Sequence, residues 1–175
     1  MRTKRTSRST RTAGTIKLVL HGQGLRSRQL RGPQRPDSPP ELLLIQLRRY
    51  ECQRCKAVVT VGPAEMLTRR LYSACAIGWA LALYGLSLLS QSTVRDLVSP
   101  WRVVGDGSIS RWRTLTRWCG ATARRELFKR LPLLAPQRPR ELAAAAAAVL
   151  SAFAVPAPDP PPMTVLAFHG AVHAG

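Results

Sequence analysis

Apolar runs broken by glycine and proline divide this chain, and their period changes from strand-like to helix-like near residue 63. Ile16, Leu18, Val19 and Leu20, within Thr15–Gly22, predict a short strand that stops at Gly22 and Gly24. Four prolines between Gly32 and Pro40 predict a loop. Leu42, Leu43, Leu44, Ile45 and Leu47 predict a strand over Glu41–Cys52, and Ala57–Val61 a second one closed by Gly62 and Pro63. Those two make a hairpin around Cys52–Cys55.

Beyond Pro63 the spacing is helical. The first helix runs from Ala64 to about Ser90, with Pro63 preset for its first turn and Glu65 suited to the positive end of its dipole. Thr93–Val98 forms a short helix capped by Ser92 and stopped by Pro100. A third begins at Ser108 and reaches about Lys129, with a break near Gly120. A fourth, Glu141–Ala154, contains six consecutive alanines, which form helix readily but offer little to bury. Met163–Gly175 follows the prolines of 156–162 as a tail.

The expected fold is therefore mainly α: a small β-hairpin, then a helical bundle with a helix-turn-helix-like pair. Four segments follow. Residues 1–15 alternate basic side chains with Ser and Thr, cannot bury apolar surface, and are expected to be a disordered basic arm. Residues 16–62 form a β-rich module, 63–131 a helical module, and 132–175 an Ala/Pro-rich helix and tail.

Charge changes the picture from fold to partner. Lys and Arg number 27 against 9 Asp and Glu, a net charge of +18 that calls for a polyanion. The excess is uneven: Met1–Arg35 carries ten basic residues and no acid, and Arg102–Arg140 carries ten with only Asp106 and Glu126. Double-stranded DNA is the expected partner, with RNA or an anionic membrane as alternatives. No Gly-rich phosphate loop, nucleophile elbow or HExxH occurs, the nine acids are scattered, and no small-molecule substrate is evident. A binding protein is expected and not an enzyme.

Four cysteines are too few and too irregular for a secreted disulfide framework. Nor does a signal-peptide apolar region follow the basic start, so a cytoplasmic, nucleoid-associated protein is expected. Cys52 and Cys55 have the spacing at which two thiolates of a tight turn ligate one zinc ion, and they make half of such a site. His21 is the nearby upstream candidate for a third ligand. His169 and His173, four apart, do not make a convincing metal pair beside Gly170 and Gly175.

The stretches His21-Gly22, Leu25-Arg26-Ser27-Arg28 and Leu47-Arg48-Arg49-Tyr50-Glu51-Cys52-Gln53-Arg54-Cys55 resemble the second half of the zinc ribbon that opens many bacterial insertion-element transposases. They also resemble small bacterial relatives in which helix-turn-helix helices follow the ribbon. The resemblance spans about residues 18–120. It implies a degenerate zinc ribbon, possible zinc binding, and a DNA-binding fragment related to the N-terminal part of mobile-element transposases. The family's ribbon begins with an upstream CxxC, whereas residues 1–15 hold no cysteine, a departure for which a truncated, altered or mis-started N-terminus is the expected explanation. No nuclease or transposase activity is expected.

On a helical wheel of Ser108–Arg124, Ile109, Trp112, Leu115, Thr116 and Cys119 share one side, and Arg113, Arg117 and Arg124 another. Such an arginine ridge suits a recognition helix, because guanidinium groups pair with guanine edges or phosphate. Ser110 and Thr114 could add phosphate contacts. Val94, Leu97 and Val98 would pack behind it, although nine residues connect the two helices where the tight motif uses about three or four. Arg48, Arg49 and Arg111 complete the nucleic-acid-binding set. Trp101 and Trp112 are expected in the core, while Trp118 falls off the apolar stripe beside Arg111 and marks a nucleotide or partner surface.

A rival reading comes from Leu71–Leu89, uncharged and close to the roughly 20 residues that cross a bilayer, preceded by Arg69 and Arg70. A single-pass membrane protein with basic flanks is that alternative. A helix buried on all sides gives the same pattern. A third alternative is a decayed reading frame without function.

Overall fold

The computed structural model describes residues 19–101, 112–135 and 138–175. The basic arm at 1–15, and with it Ser108, Ile109, Ser110 and Arg111, lie outside the described residues. Three antiparallel strands, β1 (Leu20–Gly32), β2 (Glu41–Cys52) and β3 (Val58–Val61), pair in the order β1-β2-β3. Five helices follow: α1 (Ala74–Gly85), α2 (Gln91–Val98), α3 (Arg113–Ala123), α4 (Pro139–Ser151) and α5 (Met163–Ala174).

This corrects the mainly-α expectation. The described residues are 39% helical and 21% strand, a mixed α/β fold with the helices after the sheet. The source of the error is β1, a 13-residue strand expected to end at Gly22. Gly24, at φ +92°, sits in a bulge between Gly22 and Leu25 that lets the strand continue in new register. From there Leu25 pairs with Arg48 and Leu30 with Leu43 down to Gly32 opposite Glu41. Arg26, Ser27, Arg28 and Gln29 put polar side chains on both faces between Leu25 and Leu30, which hid the strand, and Arg28 is partly buried. Its guanidinium donates to the carbonyls of Leu67 and Arg70 at 3.1 and 2.7 Å, so a charged side chain holds the segment that crosses the sheet.

That segment, residues 62–73, was expected to be helical from Ala64 onward. Instead it runs over the sheet with Arg69 in the left-handed region. Arg31 and Tyr72 form a parallel bridge, Arg31 N–H donating to the Leu71 carbonyl at 2.8 Å and Ser73 N–H to the Arg31 carbonyl at 3.1 Å. The helix begins only at Ser73, whose hydroxyl accepts the Ala76 N–H at 3.0 Å.

All twelve residues of α1 are buried. Helices α2, α3, α4 and α5 all pack on it, and α4 also packs on α3 and α5. Small residues permit the close crossings: a Cβ at Gly78 would press on Ala171 and Ala167, and one at Gly85 would overlap the backbone of Ala144. At about 1.5 Å per residue α1 is roughly 18 Å long, against a hydrocarbon core of about 30 Å. No helix of the described residues is long and apolar enough to cross a membrane.

Two C-terminal expectations also change. The polyalanine helix buries Ala143, Ala146 and Ala147 completely, because alanine is the size that lets α4 approach α1. Met163–Gly175 is not a tail: α5 covers α1, with Ala167, Phe168 and Ala171 buried and Trp79 edge-on to Phe168. Gly170 does not break that helix, since its missing side chain is what admits the Leu150 carbonyl.

Candidate nucleic-acid interface

Helix α3 buries Leu115, Trp118, Cys119, Ala121 and Thr122, and turns Arg113 and Arg117 outward. Trp118 is only 3% exposed, which corrects its assignment to an outer surface. Tyr72, brought in by the crossing segment, covers the side of α3 that a bare helical wheel leaves open. Its ring meets Trp112 and Trp118 edge-on at 6.1 and 5.0 Å, and the two indoles meet at 5.0 Å. Trp101, expected in the core, is 53% exposed, with the Arg31 guanidinium 5.6 Å from its ring centroid.

Beside Arg113 and Arg117 the surface is concave. A groove of about 820 Å³ is lined by Arg113, Thr116, Arg117, Gly120 and Arg124 from α3 and its C-terminal end. Ser90 and Gln91 from the start of α2, Tyr84 from the end of α1, and Arg140 from α4 complete it. Four guanidinium groups thus share one concavity with no acidic residue among the described residues of its lining. Thr116, expected on the apolar stripe, is exposed here, and its hydroxyl accepts from Gln91 Nε2 at 3.4 Å. Gln91 Oε1 accepts the Trp112 N–H at 2.9 Å. One side chain therefore ties the start of α2 to the start of α3.

The four arginines are held differently. Arg113 and Arg117 are exposed and have no carboxylate partner among the described residues. Arg124 is paired with Glu126, Nε to Oε1 at 2.6 Å, which holds the Glu126 carboxyl below its ordinary range and pushes the guanidinium further up. Arg140 is the most fixed. It donates to the Leu89 carbonyl at 3.1 Å and lies 4.3 Å from the centroid of the Tyr84 ring. No periodicity within α3 could have revealed Arg140, since it reaches the groove from another helix.

The remaining sequence-derived residues lie elsewhere. Arg48 and Arg49, adjacent on β2, point to opposite faces of the sheet, Arg48 exposed and Arg49 half-buried. Both line a small hollow of about 250 Å³ with Gly22, Leu25 and Tyr50. Thr114 is half-buried on α3 outside the groove lining. Of the described residues of the site set, Arg113, Arg117 and Arg124 share the α3 groove, and Arg48 and Arg49 share the separate hollow on the sheet.

Cys52 and Cys55 lie in the tight turn after β2, Cys52 buried and Cys55 exposed, both as free thiols. Lys56 N–H donates to the Cys52 carbonyl at 2.9 Å, and Cys52 N–H to that of Ala57 at 2.9 Å, closing the turn. The backbone N–H groups of Cys55 and Arg54, together with the Cys55 thiol, hold the Cys52 thiol below its ordinary value. This suits a thiolate and therefore half of a zinc site. His21 pairs with Glu51 and not with Cys52, so it stands on the opposite sheet face. Among the described residues no three His, Cys, Asp or Glu side chains come together to hold a metal.

Comparison with known proteins adds no relative: no family model, curated protein or solved structure matches the chain.

Proposed function

We propose that this is a non-catalytic nucleic-acid-binding protein that makes its phosphate contacts in the α3 groove. The observation that carries the reading is the convergence of Arg113, Arg117, Arg124 and Arg140 on one concavity with no acid among the described residues of its lining. Like charges placed together repel one another, and a polyanion relieves that repulsion while releasing its own counterions. Binding is favoured over catalysis because guanidinium groups stay charged at any working pH and neither give nor accept protons. A nucleic acid is favoured over a lipid surface because a flat layer of headgroups cannot reach into a groove. The likeness of Leu47–Cys55 to the insertion-element ribbon supports the same reading, and association with the nucleoid would follow from it.

The test is Arg113→Ala with Arg117→Ala, compared with Arg35→Ala with Arg54→Ala, two exposed arginines outside the groove. Both double variants lose the same net charge. Each charge-assisted contact is worth about 1.5–3 kcal/mol, so the groove variant should bind an oligonucleotide at least about a hundredfold more weakly. The control should lose far less. Equal losses in both would reduce the groove to bulk charge and remove the proposal.

A further inference from the structure

We propose that the strand held in this groove is unpaired, with a base stacked on Arg140 and neighbouring phosphates on Arg113 and Arg117; this rests on the nucleic-acid reading above. A helix that reads a duplex lies in the major groove, so the face it presents must stand clear of its own neighbours. The arginine face of α3 does not stand clear. The first turn of α2, at Ser90 and Gln91, and the first turn of α4, at Arg140, share the concavity with it. Gln91 pins α2 to α3 through the Trp112 N–H and Thr116, so this wall is part of the packed structure. The volume, about 820 Å³, falls within the roughly 300–1,000 Å³ of small-ligand pockets. It admits a nucleotide or so of a flexible strand and excludes the paired body of a double helix.

Arg140 supplies what an unpaired base needs. Bases splayed out of a stack are recognised on aromatic rings or on guanidinium planes. Arg140 has its guanidinium carbon 4.3 Å from the centroid of the Tyr84 ring and is tethered to the Leu89 carbonyl at 3.1 Å. Its guanidinium is thus held in place before any ligand arrives, in the lining of the groove that it shares with Tyr84. Arg113 and Arg117, four residues apart on α3, stand about 6 Å apart along the helix axis. That separation is comparable to the distance between neighbouring phosphates of one strand. With no carboxylate partner among the described residues, both are available to that strand.

The test compares three probes of equal length with the full chain: a thymidine oligonucleotide, the same backbone made abasic, and a duplex. The wild type should bind the thymidine strand about tenfold more tightly than either of the others, the equivalent of one stacked base. Arg140→Lys keeps the charge and removes the plane. It should bind the thymidine and abasic strands equally, with its affinity for the abasic strand unchanged. Duplex binding as tight as that of the thymidine strand would overturn the inference, as would a base preference that survives in Arg140→Lys. Binding of none of the three probes would instead overturn the nucleic-acid reading on which it stands.

Discussion

Replacing Gly85 by alanine tests the packing that builds the groove. Gly85 is the last residue of α1, and a Cβ there would overlap the amide nitrogen and Cα of Ala144 and the carbonyl carbon of Ala143 on α4. Backbone atoms cannot rotate away, so α1 and α4 must separate, and Ala143, Ala146 and Ala147, all fully buried, lose contact. Alanine in place of glycine gains at most about 1 kcal/mol of helix propensity. Overpacking costs about 1–3 kcal/mol, to which the lost contacts add. The net expectation is a destabilisation of about 1–2 kcal/mol. Gly120→Ala is the matched control: it lies within α3, and among the described residues a Cβ there meets only the Arg124 guanidinium at 3.2 Å, a flexible side-chain end. That variant should be neutral or gain up to about 1 kcal/mol. Urea denaturation measures both, with an unchanged slope confirming that midpoint shifts report stability. Gly85→Ala as stable as the wild type would refute the close α1–α4 crossing.

Three other outcomes are expected. Trp118→Ala removes the indole that Tyr72 and Trp112 surround and should cost about 3–5 kcal/mol, whereas Trp101→Ala should fall within about 0.5 kcal/mol of the wild type, both by urea denaturation. Alkylation followed by mass spectrometry should modify Cys55 first and leave Cys75 and Cys119 unmodified until the protein unfolds; simultaneous labelling of all four would contradict the fold. Burial pushes the thiols of Cys75 and Cys119 up to about 12, with the charge of Glu65 adding to the effect at Cys75. Their folded values lie above the ordinary 9.0, so the stability they contribute is complete below 9.0 and is lost as pH rises through about 12. Cys119→Ala should therefore show a shallower alkaline decline in stability than the wild type, and an identical decline would contradict this cause.

The parts of the fold legible in sequence are those governed by local pattern. β2 occupies the span its five apolar residues predict, and β3 and α2 begin within two residues of expectation. Segments decided by distant contacts were not legible. β1 carries Arg28 on its inner face, a charge that only the carbonyls of Leu67 and Arg70 make tolerable there. Residues 64–73 have helix-forming composition but run through turns until Leu71–Ser73 are drawn into pairing with Arg31. α5 carries Gly170 and two exposed histidines, His169 and His173, and reads as a tail until α1 offers it a surface. The same holds at the site. The periodicity of α3 places Arg113, Arg117 and Arg124 on one face, but the groove exists because Arg140, Tyr84 and Gln91 arrive from three other helices. Trp118 shows the converse, an outward position on the wheel covered by Tyr72.

The central claim is that guanidinium groups of the α3 groove neutralise phosphates, and the salt dependence of binding reads their number. For a single-stranded oligonucleotide, each neutralised phosphate contributes about −0.7 to the slope of log affinity against log salt. Comparing the wild type with Arg113→Gln, Arg117→Gln should show the slope becoming shallower by about 1.4. A slope unchanged by the two substitutions would contradict the account.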